Sequence, residues 1–232
     1  MTDLLPDHDP PESPPAPGLV VLGRFQPFHL GHALMISAAE EWRNLNSPEL
    51  RLVIAIGSSN RPESMENPWG PEEREAMLDA WLQAEDIGDA RVVSVPDIDD
   101  PPNWVAHAER YHGVAGVFFT SDVASAELYE SAGWTVVMTP LESRDSFEGW
   151  RVRETARMMS TVDDEEAVRS VLSQSMPSVV VDHLIDCGAL RRLAFLGEGG
   201  EPVGYSQTPS KVQESLQVSI IIPESRYSNP ML

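Results

Sequence analysis

The sequence predicts an α/β fold in which helices cover both faces of a parallel sheet of about five strands. Short, apolar and β-branched segments recur along the first part of the chain, a pattern typical of buried parallel strands. Segments with helical periodicity separate them, as crossover connections between parallel strands require. Further helical segments follow the last strand-like segment, so additional helices are expected beyond the sheet.

The first half of the sheet is predicted from two strand–helix units. Residues 19–22, which read Leu-Val-Val-Leu, form the first strand, and residues 31–43 form the helix that follows. The second strand covers residues 52–56. Pro71 opens the next helix, since proline is favoured in a first turn and the acidic residues after it suit the positive end of the helix dipole.

The second half of the sheet is predicted from three more strands with helices between them. Together the elements indicate a Rossmann-like, doubly wound parallel sheet with C-terminal helices. The strands are predicted at residues 91–95, 114–119 and 134–138. The helices are predicted at residues 103–111, 121–132, 152–159, 164–174 and 177–186.

The two ends of the chain differ in composition from its centre. Residues 1–17 are acidic and rich in proline, a composition that buries too little apolar surface to order itself. The Rossmann-like core is expected at residues 18–160, and a C-terminal helical segment at residues 161–196. Glycine, proline and serine are frequent in residues 197–232, for which a loosely ordered tail is expected.

Composition restricts the class of protein. The formal net charge of −21 repels nucleic acids and anionic membranes, so neither is an expected partner. No apolar segment reaches the roughly 20 residues that span a bilayer, and the N-terminus lacks signal-peptide features, so a cytoplasmic protein is expected. The single cysteine, Cys187, excludes an intrachain disulfide, and we expect it to be buried in a helix. The oligomeric state is left open, a homo-oligomer included.

The segment with the most chemical information reads GRFQPFHLGH, residues 23–32, at the junction of the first strand and the first helix. Backbone N–H groups and the positive dipole end make such a helix N-terminus a phosphate-binding site. His29 and His32 can both face the anion, and Gly31 leaves room for phosphate beside the backbone. Two alternatives stay open: the histidines satisfy only turn hydrogen bonds, or they ligate zinc, although no carboxylate or cysteine stands near them in sequence.

This segment resembles the HxGH signature of the nucleotidylyltransferase superfamily, and its longer form resembles the archaeal-type nicotinamide-nucleotide adenylyltransferases in particular. The resemblance implies adenylyl transfer from ATP, carried with Mg²⁺, to nicotinamide mononucleotide, giving NAD and pyrophosphate. It implies catalytic roles for His29 and His32, with few metal ligands from the protein. For Arg24 a surface ion pair is the alternative to a phosphate contact. Nucleotide contacts are implied for Gly23, Arg24, Phe25, Gln26 and Gly31.

Similarity to the same family continues in order along the chain, in IGSS at residues 56–59, ENPWGPEER at residues 66–74 and PDI at residues 96–98. Trp104 would lie near the nicotinamide ring, where an aromatic face stacks on a cationic ring, and core packing is its alternative role. Glu73 and Arg74 fit a helix-face charge pair and a ligand role equally well. Nucleotide contacts are expected from Gly57, Ser58 and Ser121, and acceptor contacts from Asn67, Asp97 and Trp104.

A later segment, residues 141–153, resembles the family's SGTxxR segment, which opens a helix beside the triphosphate. Arg153 would then be the catalytic arginine that grips the β- and γ-phosphates, with Gly149 beside it. Glu148 and Trp150 stand where the family has serine and threonine, so a carboxylate replaces a hydroxyl donor. Arg144 is also expected to contact the nucleotide. Compensating positive charge is expected from Arg144, Arg151 and Arg157.

Rival functions differ in acceptor or in class. Nicotinic acid mononucleotide, phosphopantetheine or FMN as the acceptor would keep the chemistry and change the product. Glu148 and Trp150 also suit a catalytically weak relative that binds nucleotide as a sensor or an assembly subunit. A dinucleotide-binding dehydrogenase is excluded because no GxGxxG pattern follows the first strand.

Overall fold

Five strands form one parallel sheet in the order β3-β2-β1-β4-β5, in a computed structural model that describes residues 4–5, 8–13, 15–98, 100–140 and 148–196. The strand order reverses between β1 and β4, and every pairing is parallel, which confirms the doubly wound arrangement. The strands are β1 Gly18–Gly23, β2 Arg51–Ile56, β3 Ala90–Ser94, β4 Val117–Thr120 and β5 Thr135–Met138.

Helices connect the strands and then follow the sheet, as the sequence predicts. Local chemistry fixes their starts: Pro71 opens α2, and the Asp122 carboxylate accepts a hydrogen bond from the Ser125 N–H at the start of α4. None of the helices in the described ranges is long and apolar enough to cross a membrane. They are α1 Leu30–Asn46, α2 Pro71–Ala84, α3 Trp104–His112, α4 Val123–Ser131, α5 Gly149–Met159, α6 Glu165–Leu172, α7 Ser178–Asp186 and α8 Ala189–Arg192.

Side chains alternate across the sheet and form a core on each face. Along β1, Leu19 and Val21 are fully buried on one face, where α1, α2 and the C-terminal helices pack. Val20, between them, is fully buried on the other face, against α3 and α4. This period-two pattern is the one expected of a strand that is covered on both sides.

The fourth strand is shorter than the sequence predicts, because it begins at Val117 and not at residue 114. Ala115 has a positive φ of 57°, which breaks the extended conformation. Gly116 then passes so close to β1 that an added Cβ would lie 2.2 Å from the carbonyl oxygen of Gly18. Residues 114–116 are thus a turn in which only a glycine fits the close approach.

Two features of the C-terminal region differ from expectation. Cys187 is exposed, so the prediction of a buried cysteine is wrong. It is the C-cap of α7 and lies beyond the buried positions Val180, Val181 and Leu184 of that helix. Helix α8 was not expected. The described residues belong to one compact unit, Met1–Gly199, and both the expected loose tail and Arg144 lie outside the described residues.

Candidate active site

A cavity of about 410 Å³ opens at the carboxyl ends of β1 and β4, where the strand order reverses. Ligands bind at this point in open α/β sheets, because the connections on its two sides diverge and leave a crevice. Six of the residues expected to form the site line the cavity, namely Gly23, His29, Gly31, His32, Ser121 and Gly149. Glu148, whose position beside the triphosphate the family resemblance implies, also lines the cavity. The other lining residues were not expected, namely Leu22, Leu34, Met35, Thr120, Asp122 and Ser125.

The two histidines lie against each other at the N-terminus of α1. His29 is the N-cap residue with only 6% of its surface exposed, and its ring stacks on that of His32 with 3.6 Å between ring centroids. The backbone N–H of His29 donates to Nδ1 of His32 over 3.3 Å. Because that nitrogen accepts, neutral His32 carries its proton on Nε2. His32 can therefore donate one N–H to a ligand.

Both imidazoles are neutral at pH 7. Burial, and then the charge of Arg153, lowers the pKa of His29 to about 4. Burial, followed by the neighbouring His29, holds the pKa of His32 well below its usual value. Within the described residues, Nδ1 of His29 is buried and has no hydrogen-bond partner. A buried polar atom of this kind is unusual unless a ligand or water completes it.

Arg153 reaches the same place from α5. Its Nη1 donates to the carbonyl oxygen of Gln26 over 2.7 Å, which ties α5 to the loop after β1. Gly149, the first residue of α5, lies where the groups meet. A Cβ added there would lie 3.5 Å from Nη1 of Arg153, 3.7 Å from the Gln26 oxygen and 3.9 Å from Nε2 of His29. The structure therefore brings His29 and Arg153 together around a glycine.

Other residues of the 23–32 segment support the site through the loop after β2. The Gln26 side chain donates to the Trp69 carbonyl over 2.7 Å and accepts from the Trp69 N–H over 3.2 Å. Exposed Arg24 donates to the Asn67 side chain, which is itself buried, and to a neighbouring carbonyl. The ring of Phe25 is fully buried and lies 4.8 Å from that of His32. These contacts position the loops.

Arg74 is a buried cation beneath these loops, with 2% of its surface exposed. It donates to the carbonyl of Arg24 at 2.9 Å, of Gly57 at 2.8 Å and of Ser58 at 3.3 Å, and so joins the ends of β1 and β2. Burial, then the charge of Arg24, lowers its pKa to about 10, so it remains charged. Charge pairs on the face of α2 were one of two roles left open for Glu73 and Arg74; in the structure Glu73 pairs with Arg192 of α8, and Arg74 bonds to carbonyl oxygens.

The position of Arg74 could have been found in the sequence. It precedes the buried residues Met77, Leu78 and Trp81 at spacings of three, four and seven, and so lies on the buried face of α2. A buried arginine at such a position requires hydrogen-bond acceptors, and the carbonyl oxygens at the ends of the neighbouring strands are near enough to serve.

None of the residues expected to bind the acceptor lines the cavity: Asn67 lies in the loop between β2 and α2, and Asp97 and Trp104 lie beyond β3. The Asp97 carboxylate accepts from Nε of Arg61 over 2.7 Å, and its backbone is held by the Asn60 side chain. Trp104 begins α3, and its ring meets that of Tyr129 edge-on at a centroid distance of 6.3 Å. This contact is core packing, and the role of Trp104 in stacking on nicotinamide stays a prediction.

The Glu148 carboxylate at the cavity is already paired. Its Oε2 accepts from Nε1 of Trp150 and from Nε of Arg151, each over 2.9 Å. The Arg151 guanidinium lies 5.0 Å above the Trp150 ring centroid, so these three side chains form one cluster. Arg151 thus supplies the compensation expected for Glu148, whereas Arg157 pairs with Glu154.

Carboxylates do not gather into a metal centre in the part of the chain that the structure describes. No group of three or more His, Cys, Asp and Glu residues there could hold an ion. Asp122 lines the cavity, but one carboxylate oxygen accepts hydrogen bonds from the N–H and the hydroxyl of Ser125. The zinc alternative for His29 and His32 therefore lacks a third protein ligand among these residues.

Relatives of known sequence match most of the chain. It is 28% identical over 195 residues to the nicotinamide-nucleotide adenylyltransferase of Haloarcula marismortui, covering 84% of this chain and 95% of the relative. It is 30% identical over 213 residues to the nicotinamide-nucleotide adenylyltransferase of Pyrococcus horikoshii, covering 89% of this chain and 98% of the relative.

Solved structures share the fold at lower identity. A bifunctional NMN adenylyltransferase/ADP ribose pyrophosphatase from Francisella tularensis has a TM-score of 0.56 and 18% identity. The match covers 76% of this chain and 52% of that protein, so this chain spans about half the length of the bifunctional protein. The structure of that protein complexed with AMP and a manganese ion has a TM-score of 0.51 and 19% identity.

The family model described as cytidylyltransferase-like matches residues 20–163 of the 232. That span contains every described residue that lines the cavity, as well as Arg153. The match confirms the resemblance found in the sequence motifs, and the chain belongs to the cytidylyltransferase-like family.

Proposed function

We propose that this chain transfers the adenylyl group of MgATP to nicotinamide mononucleotide (NMN), producing NAD and pyrophosphate. The observation that carries the proposal is the convergence of His29 and Arg153 around Gly149 at the cavity between β1 and β4. Relatives named nicotinamide-nucleotide adenylyltransferase support NMN as the acceptor. The PDI and Trp104 matches beyond β3 support the same choice.

The triphosphate is assigned to the space around Gly149. A glycine there leaves room for phosphate oxygens, and the N-termini of α1 and α5 direct N–H groups and positive dipole ends toward that space. Arg153 uses Nη1 for Gln26, and a guanidinium has five N–H donors, so it can bind phosphate as well. Arg24 and Arg74 add positive charge to a chain that is otherwise strongly acidic.

Transfer requires no nucleophile from the protein, because the acceptor carries its own. A phosphate oxygen of NMN attacks the α-phosphorus of ATP and forms the new P–O bond. The bond between the α-phosphorus and the oxygen that bridges to the β-phosphorus breaks in line, and pyrophosphate leaves with that electron pair. Catalysis then depends on positioning and on stabilising the charge that develops on the phosphoryl oxygens.

His29 and His32 act in this scheme as neutral hydrogen-bond donors. His32 presents the Nε2 proton, because its Nδ1 accepts from the His29 backbone. Nε2 of His29 borders the space around Gly149 and can donate to a phosphate oxygen, which leaves its buried Nδ1 as the unprotonated nitrogen of the ring. Arg153 holds the departing pyrophosphate and keeps its charge throughout.

The divalent cation enters as part of the MgATP substrate. Magnesium commonly retains waters and binds nucleotide phosphates with one or two protein carboxylates. Two carboxylates, those of Glu148 and Asp122, line the cavity in the described residues, and both already accept hydrogen bonds from the protein. We therefore expect the triphosphate and water to supply most of the magnesium ligands. Bound to the triphosphate, Mg²⁺ offsets the phosphate charge.

The direct test is an acceptor panel. Purified protein is incubated with MgATP and, separately, NMN, nicotinic acid mononucleotide, phosphopantetheine and FMN, while pyrophosphate release and adenylylated product are measured. We expect NAD from NMN, with the highest kcat/KM of the panel. Calorimetric binding of ATP with no pyrophosphate released for any acceptor would instead support a nucleotide-binding protein without transferase activity.

A substitution of His32 tests the assigned role. His32→Asn keeps an acceptor for the His29 N–H and removes the Nε2 donor, so we expect kcat to fall by on the order of 10²–10³ at little change in thermal stability. His32→Ala should give a similar fall in kcat, with some loss of stability because its ring packs on His29. His183→Asn, on α7 and away from the cavity, is the matched control. Unchanged turnover in His32→Asn refutes the assignment.

A further inference from the structure

We propose that two residues near the N-terminus, Leu5 and His8, hold the loop after β3 in position for acceptor binding. We call these two residues the N-terminal brace, and residues 95–98 the acceptor loop because they include Asp97. Neither residue of the brace lines the cavity between β1 and β4. The brace therefore contains positioning residues, which act through the loop and not on the reacting atoms.

The brace contacts three parts of the protein that surround the acceptor loop. The Leu5 N–H donates to the carbonyl of Asn60 over 2.8 Å. Nε2 of His8 lies 3.0 Å from the carbonyl oxygen of Ser94, the last residue of β3, and must donate to it. The Tyr111 hydroxyl donates to the His8 carbonyl over 3.0 Å, and the two rings meet edge-on at 5.2 Å.

The same three parts anchor the acceptor loop itself. The Asn60 side chain bonds to both the N–H and the carbonyl of Asp97, at 2.8 Å and 3.0 Å. Ser94 is joined directly to the first residue of the loop. His107, whose ring lies 5.2 Å from that of Tyr111, donates from Nε2 to the Pro96 carbonyl over 3.0 Å. The contacts of the brace with Asn60 and Ser94 thus lie one hydrogen bond or one residue away from the loop, and the contact with Tyr111 reaches it through His107.

The path of the chain explains how a terminal segment reaches this edge of the sheet. Residues 15–17 lead into β1 at Gly18 and pass beside the end of α3. A Cβ on Gly113, which has a φ of 99°, would lie 2.8 Å from the Pro15 carbonyl oxygen and 2.9 Å from that of Ala16. The segment is held against α3 at this point, so the preceding residues can reach β3 without a long flexible span.

Loss of the brace is expected to weaken the binding of the acceptor and not that of ATP. The acceptor loop carries Asp97, whereas the ATP phosphates are assigned to the opposite side of β1, near His29 and Arg153. Loss of the brace would let the loop sample other conformations, and binding from a partly populated conformation is weaker in proportion to that population. We therefore expect the affinity for the acceptor to fall while that for ATP stays constant.

The contact itself is tested without reference to activity. Leu5→Pro removes the N–H that bonds to Asn60, and His8→Ala removes the ring that bonds to Ser94. Amide hydrogen exchange at Asp97 and Ile98 should become several times faster in the full-length double variant, at unchanged exchange in α1. Glu12→Ala, in the same exposed segment, is the matched control and should leave the exchange unchanged. Equal exchange in the double variant and the parent protein overturns the proposal.

The kinetic consequence rests on the proposed function. We expect KM for NMN to rise about tenfold in the double variant, while KM for ATP and kcat stay within twofold. A lower KM for NMN would show that the segment obstructs the acceptor, and an unchanged KM would show that it does not position the loop; either overturns the inference. A parent protein that makes no NAD, with faster exchange in the variant, refutes the proposed function and the kinetic part but retains the structural contact.

Discussion

Gly149→Ala separates a phosphate-binding glycine from a merely structural one. The added methyl group would lie 3.5 Å or more from its nearest neighbours, which are Nη1 of Arg153, the Gln26 oxygen and Nε2 of His29. These distances are ordinary van der Waals contacts, so the protein can accommodate the methyl group without rearrangement. The same methyl group nevertheless occupies the space that we assign to the triphosphate.

The two effects of this substitution have opposite signs. Alanine is a better helix former than glycine by up to about 1 kcal/mol, and about half of that is a reasonable share at the first residue of α5. For a domain of this size, such a gain raises Tm by about 1–2 °C. A phosphate displaced by about 1 Å from its donors lowers kcat/KM for ATP by on the order of 10². Stability should rise while activity falls.

The assays are NAD formation at varied ATP, calorimetric titration with MgATP, and thermal unfolding. Gly88→Ala is the matched control, because a Cβ added at Gly88 meets no atom within 4 Å and the residue does not line the cavity. That control should keep the kcat/KM of the parent protein. A Gly149→Ala protein with raised Tm and unchanged kcat/KM for ATP would place the phosphates elsewhere and refute the reasoning.

Three further predictions concern charged and buried groups. Arg74→Met leaves several buried carbonyl oxygens without their donor and should lower the unfolding free energy by about 3 kcal/mol or more, measured by urea denaturation; an unchanged midpoint would contradict this. Burial, and then Arg91, lowers the pKa of His112 to about 4, whereas its unfolded value is about 6.5. Protons therefore bind the unfolded chain first as pH falls from 6.5 to 4, and this residue alone should cost about 3 kcal/mol of stability across that window, a loss absent from His112→Phe in matched urea titrations. Arg151→Ala leaves the Glu148 carboxylate uncompensated at the cavity and should raise KM for ATP about two- to fivefold at low salt. Adding Glu148→Ser to that variant should restore KM, and a failure to restore it would exclude charge as the cause.

The sheet and most helices could be predicted because their signals are local. A run such as Val20-Val21 is apolar and β-branched whatever surrounds it, and Pro71 marks a helix start without any tertiary contact. The ends of the elements were predicted less accurately, because tertiary contacts set them and no local signal carries those contacts. The turn at residues 114–116 reads as a strand in the sequence, because the contact between Gly116 and Gly18 joins residues far apart in the chain.

The site was predictable where a local motif carries it, and less so where folding brings distant groups together. The histidine pair lies within four residues, and the strand-to-helix turn around it indicates an anion site by itself. The cavity wall at Thr120 and Asp122 depends on β4 lying next to β1, which no local pattern gives. Likewise, the Gln26 amide has the chemistry of a ligand, and only the structure shows it bonded to Trp69.

The neutral state of the stacked imidazoles has a thermodynamic consequence. Burial keeps both rings uncharged by lowering their pKa values, with Arg153 acting in the same direction on His29 and His29 on His32. An arriving triphosphate acts in the opposite direction, since a nearby anion favours the protonated form of each ring. Nucleotide binding is therefore linked to proton uptake, and the heat released in mildly acidic solution will vary with the ionisation enthalpy of the buffer.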